Sequence, residues 1–306
     1  MKMMKQIYAG LFLLIACTGW GQSTGIKAAV DKYRTSQDAE ALRVLSDHAR
    51  PKEVAAAIFA STLDTLITDH RLTVHLIKVL ERKTTDVASR ESYVNALVEI
   101  LWRSPGTVAA SALKVMQTFE RKSFSQNTKD DLMTYISEHA ENRGEAILLL
   151  GFVGNQNDVG FLKSLAHYTS LAKKDKYKVR LALVRLNDAV SVQEYLAELG
   201  NRQIDDALVS NVLPDLIYTH HPEVYKILLA ELNNDVPACL SANNDSAEEI
   251  LCAYRILEQI APQIRDFPVT VDRSGELNGD YLQALQSARA WYVANATSFT
   301  INAEHF

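Results

Sequence analysis

The stretch from Ile147 to Leu165 reads ILLLGFVGNQNDVGFLKSL, and the stretch from Leu181 to Leu199 reads LALVRLNDAVSVQEYLAEL. Laid over each other at an offset of 34, Ile147 falls on Leu181, Leu149 on Leu183, Leu150 on Val184, Phe152 on Leu186, Phe161 on Tyr195, Leu162 on Leu196 and Leu165 on Leu199. A third copy follows at an offset of 33 from the second, placing Leu216, Ile217, Leu228, Leu229 and Leu232 over Leu183, Val184, Tyr195, Leu196 and Leu199. In each copy two apolar stretches of helical period flank a short polar turn, so the repeating unit is a helical hairpin. One hairpin cannot bury its own apolar face, so successive copies are expected to stack into a solenoid with an extended surface.

Composition agrees with a helical chain that has a core. Of 306 residues 47% are hydrophobic, well above a disordered chain, while only 12 Gly and 7 Pro supply turn punctuation. The expected fold class is therefore all-α, an α-α superhelix of hairpin repeats.

Positions 1–21 are set apart from the fold. Lys2 and Lys5 precede an apolar run from Ile7 to Ala16, and Gly19-Trp20-Gly21 ends small-x-small ahead of Gln22, the pattern of a secretory signal. The apolar run is about half the roughly 20 residues a membrane-spanning helix needs. Leu14-Ile15-Ala16-Cys17 also resembles a bacterial lipobox, in which the thiol is acylated and becomes the new N-terminus. Both routes lead out of the cytoplasm, to the periplasm or the extracellular space in one case and to an outer-membrane lipoprotein in the other. A lipid on Cys17 is the one membrane attachment expected.

Without Lys2 and Lys5 the 32 basic residues become 30 against 37 acidic ones, a formal charge of −7. Such a chain has no basic excess to attract phosphates, which argues against nucleic acid as a partner. Cys239 and Cys252 are the thiols left in the body of the chain. In an oxidising compartment they would close a disulfide loop; the other reading makes both small buried hydrophobes.

From residue 25 to 261 the pattern is a succession of short helices, expected near 25–34, 38–48, 51–68, 71–83, 86–103, 106–121, 128–141, 143–153, 157–170, 175–187, 190–200, 203–218, 222–233 and 246–260. Pro51, Pro105 and Pro222 stand at helix starts, where a missing N–H costs nothing. Ser246-Ala-Glu248-Glu249 reads as a capping box. The run AILLLGFVGNQNDV from Ala146 to Val159, followed by Phe161, Leu162 and Leu165, resembles a HEAT repeat: helix, Gly/Asn/Asp turn, second helix. The resemblance is clear over about 140–235 and looser over 38–120. It implies an α-solenoid that binds other proteins, and carries no catalytic residues. The repeat region is expected to run from 22 to 262. Residues 263–306, a loop and a final helix at 280–298, then belong to the same domain, with Leu282, Leu285, Ala288, Trp291 and Tyr292 covering the last repeat as a cap.

Candidate chemistry is sparse. Counted from Asp272, an EF-hand loop would need Gly at position 6 and Glu at 12, but Leu277 and Gln283 stand there, so 272–280 reads as a polar loop whose Asp280 caps the final helix. His220 and His221 are adjacent and would diverge on a helix, while His70 and His75 miss the spacing that puts two ligands on one face. No nucleophile elbow, C-x-x-C or phosphate loop occurs. No catalytic residue, metal ligand or cofactor is assigned.

One block reverses the local sign of this acidic chain: Lys173, Lys174, Lys176, Lys178 and Arg180, with Arg185 just beyond. It reads as a solvated helix start or as a surface for a protein partner. The functional expectation is a non-catalytic exported scaffold that binds a protein in the bacterial envelope. The alternative is an envelope enzyme acting on glycan or another surface substrate through a groove between repeats, lined by Trp291, Tyr292 or loop carboxylates.

Overall fold

The computed structural model describes residues 32, 33, 35, 36, 87–103, 106–241, 249–272, 274–304 and 306. The signal segment, Cys17 and the helices expected between 25 and 83 lie outside the described residues, except for helical residues 32, 33, 35 and 36. Among the described residues the chain is mostly helical, with twelve α-helices and one sheet of two short strands. It divides into two compact units, Met1–Leu149 and Leu150–Phe306.

In the first unit, α1 (Val87–Arg103) packs against α2 (Gly106–Met116) and α3 (Gln126–Glu138). Ser125 caps α3 by accepting from the Thr128 N–H at 3.2 Å, and the Thr128 hydroxyl donates to Asn95 of α1 at 2.7 Å. Trp102, Tyr135 and His139 form an aromatic cluster, with the Tyr135 and His139 rings stacked at 4.5 Å. Asn142 takes the left-handed conformation at φ 58° and donates to the Gly106 carbonyl at 2.8 Å, which turns the chain into α4 (Arg143–Val153). The unit boundary falls inside α4.

The second unit holds most of the recurring stretch. After the end of α4 come α5 (Val159–Ala166), α6 (Lys173–Arg185), α7 (Ala189–Gly200), α8 (Asp206–Asn211), α9 (Leu213–Tyr218) and α10 (Pro222–Glu231). The element expected as one helix over 203–218 is two, broken at Val212. Pro214 explains the break, since it has no N–H to donate and its ring would strike the carbonyl of Ser210. The helix expected from residue 246 begins at Cys252 instead. Glu249–Leu251 forms β2, antiparallel to β1 (Pro237–Leu240), and Ser246 lies outside the described residues. α11 (Cys252–Ile260) buries Ala253, Ile256, Leu257 and Ile260, the spacing of one helical face. In chain order α6 packs on α9, and α9 on α11.

The turns between paired helices repeat. Asn155, Asp188 and His221 are helix N-caps at equal sequence intervals of 33, each accepting from a backbone N–H of the turn it starts: Asn157, Ser191 and Glu223. Asn187 and His220, one residue ahead of two of these caps, are both left-handed, with φ of 60° and 47°. Counted on its turns, the first interval is therefore 33 rather than 34. The apolar positions allow either register, because residues 147–150 and 181–184 are both uninterrupted buried runs.

The last helix, α12 (Tyr281–Asn295), is capped by Asp280 accepting from Gln283 N–H at 2.8 Å. Leu285 and Ala288 are buried, Trp291 meets Phe267 edge-on at 4.9 Å, and the Arg289 Nε donates to the Leu232 carbonyl at 2.6 Å. Leu282 departs from the expected covered side and is exposed.

Candidate functional site

The basic block lies along α6, and the structure divides it. Lys173, Lys174 and Lys176 are exposed in the first turn. Cations there oppose the positive end of the helix macrodipole, so their placement is not explained by helix stability. Further along, the charges turn inward. Lys178 lies 3.3 Å from Asp215 of α9, and Arg180 reaches Glu198 of α7 at 2.5 Å.

Arg180 lies against two rings, 5.4 Å from the Tyr177 centroid and 5.3 Å from that of Tyr195. Its hydrogen bond, with that of Arg202 behind it, holds the Glu198 carboxyl below the usual range against a smaller burial penalty. Burial, with the Asp215 charge adding to it, pushes the Tyr177 hydroxyl up to about 12, and burial raises that of Tyr195 further still. Tyr177, Arg180, Tyr195, Glu198 and Arg202 border a hollow of about 10 Å³ with Leu199, Val212 and Leu216, room for about one water. That volume falls short of the roughly 300–1,000 Å³ of a typical small-molecule site, and the charges around it are already paired.

Arg185 ends α6 in a different setting. Its guanidinium lies 4.8 Å from the Phe152 ring, 4.7 Å from the Tyr218 ring and 5.7 Å from the Phe306 ring, and its Nη1 donates to the Tyr218 carbonyl at 2.8 Å. Phe152, Arg185 and Tyr218 recur at the same interval of 33, each three residues ahead of an N-cap, so they stand at equivalent places before three successive turns. The result is an aromatic–cation–aromatic ladder. Phe306 crosses it, meeting Phe152 at 5.8 Å and Tyr218 at 5.3 Å. Gly151 permits the close approach beneath, since a Cβ there would collide with the Tyr218 hydroxyl and come within 2.8 Å of the Ala182 backbone.

Arg185, which the sequence places just beyond a block read as a solvated helix start or as a partner surface, contacts rings of its own chain. Phe152, Tyr218 and Phe306 were missed. The N-cap spacing was the signal that would have aligned the first two with Arg185, but the offset of 34 paired Phe152 with Leu186.

Cys239 of β1 and Cys252 at the start of α11 are joined in a disulfide and buried. In the loop after Val271, the Asp272 carboxylate accepts from the Ser274 N–H and hydroxyl and from the Glu276 N–H, and these bonds hold it below its usual range. Gly275 and Gly279 take φ of 89° and 92°, where a side chain would be strained. Among the described residues no three His, Cys, Asp or Glu side chains are grouped to hold a metal ion, and no helix is long and apolar enough to cross a membrane. The chain matches no protein-family model, no curated protein and no solved structure.

Proposed function

We propose that the chain is an exported, non-catalytic scaffold of HEAT-like hairpins that binds a protein partner in the bacterial envelope. The observation that carries the reading is the recurrence of the N-caps Asn155, Asp188 and His221 at equal intervals, with α6, α9 and α11 packed in chain order. Hairpins in register present equivalent side chains in rows, and a row is suited to an extended protein ligand rather than to a small substrate. Lys173, Lys174 and Lys176 add an exposed cationic edge, placed against the helix dipole. A feature that breaks a local rule is more often kept for function than for the fold. We place the protein in the periplasm or outside the cell, with residues 1–21 removed or with Cys17 acylated at an outer membrane. Intact mass of the native protein distinguishes a start at Gln22 from an acylated Cys17.

The test is affinity capture of envelope proteins by the tagged chain, beside a variant carrying Lys173→Glu, Lys174→Glu and Lys176→Glu. The variant is expected to capture less while keeping its circular dichroism, because surface substitutions rarely move stability by more than about 0.5 kcal/mol. Capture by the parent should weaken with salt, since exposed charges are screened over about 8 Å at physiological ionic strength. Capture at full yield by the variant would remove the lysines from the interface. Failure of the parent to retain any protein specifically would sink the scaffold reading.

A further inference from the structure

The stretch that follows α12 turns back along the second unit. The Thr300 carbonyl accepts from Arg265 N–H at 2.9 Å, Ile301 bridges Ile264, and Asn302 N–H donates to the Gln263 carbonyl at 2.8 Å. The Asn302 side chain donates to the Pro262 carbonyl at 3.2 Å. Beyond it, the Phe306 ring lies on the Phe152–Arg185–Tyr218 ladder. A segment tied by strand-like bonds at one end and by an aromatic anchor at the other is bound as a peptide ligand is bound. Main-chain bonds set its course, and one side chain supplies specificity.

We propose that this ladder is a docking site for an extended protein segment presenting a phenylalanine ring, and that residues 300–304 together with Phe306 are its built-in occupant, an autoinhibitory strap. The proposal deepens the protein-binding reading above and rests on it. Packed helices stand about 8–10 Å apart, and an extended chain advances about 3.3 Å per residue, so roughly three residues span one repeat interval. The ladder's chemistry selects the ring. Phe306 meets Phe152 edge-on at an interplanar angle of 88° and lies beside a guanidinium held in place by its bond to the Tyr218 carbonyl. An aliphatic side chain would occupy the same space without an aromatic quadrupole to face that cation. Because the strap belongs to the same chain, it competes at an effective concentration of about millimolar, and a partner must displace it.

The test uses a fluorescent peptide of residues 298–306, SFTINAEHF, titrated with the purified chain and read by anisotropy. The parent is expected to bind weakly. Phe306→Ala should bind at least about tenfold more tightly, as the competitor at millimolar effective concentration is gone. Adding Arg185→Ala should reverse the gain, and a peptide with Ala in place of its last Phe should not bind the Phe306→Ala protein. That peptide control uses one folded protein throughout, so it does not depend on a ladder variant folding. Equal weak binding by the parent and Phe306→Ala, with unchanged circular dichroism, would overturn the proposal. So would parent dimers that dissociate on Phe306→Ala, since the strap would then pass between copies. A gain in peptide binding supports the strap whether or not capture finds a partner, so the two readings fail separately.

Discussion

His221 and Asp188 both cap helices and stand 33 residues apart, so an imidazole and a carboxylate do the same work in two turns. The His221 Nδ1 accepts from the Glu223 N–H at 3.3 Å, which requires the neutral ring, and burial lowers its pKa against the opposing charge of Glu223. Burial alone would raise the Asp188 carboxyl. The Lys163 ammonium at 2.7 Å and the bonds from Ser191 outweigh it and hold the group below the usual carboxylate range.

Acid should therefore weaken the fold in two stages. Both folded pKa values lie below the unfolded ones, so each contribution is complete above the unfolded value and is lost as pH falls through the folded one. For His221 the loss begins below about pH 6.5, and for Asp188 below about pH 4. Each cap contributes about 0.5–2 kcal/mol. Urea unfolding at pH 8, 5.5 and 3 measures both, and His221→Asn should abolish the first stage while leaving the second. A first stage that persists in that variant assigns it to another group.

Gly151→Ala should destabilise by about 1–3 kcal/mol, the cost of overpacking a site where the obstruction includes the Ala182 backbone. Chemical denaturation reads the loss. Tyr218→Phe, which removes the nearest contact, should recover part of it if the obstruction is as located. Full additivity of the two changes would place the clash elsewhere.

Arg180→Lys should cost about 1 kcal/mol although it keeps the charge, because an ammonium offers no planar face to the Tyr177 and Tyr195 rings. A double-mutant cycle with Glu198→Gln separates stacking from ion pairing. Unchanged stability in Arg180→Lys would reduce the pair of rings to a coincidence of packing.

Replacing Cys239 and Cys252 together by Ser should lower the unfolding free energy by about 3 kcal/mol, the entropy of a loop of this length. Thermal melts of parent and variant under non-reducing conditions compare them. Equal melting of the two would show that the bond adds nothing to stability.

The helical class and the polar turns between helices were legible in residues 147–232 because both rest on local rules: apolar spacing along a helix and polar residues at its start. Asp280 could be read as a cap for the same reason, as its partner lies within the first turn. The register was not legible, since unbroken apolar runs such as Ile147–Leu150 align equally well when slid by one position, and only the cap bonds of Asn155, Asp188 and His221 fix the interval at 33. Nor could the basic block be divided in advance. Lys173 and Arg185 look alike as cationic letters, but whether a charge faces water or a ring depends on partners brought in by other helices and, for Phe306, by a segment that returns from beyond the last helix. Such contacts leave no periodic trace along the chain, so the tertiary structure alone decides them.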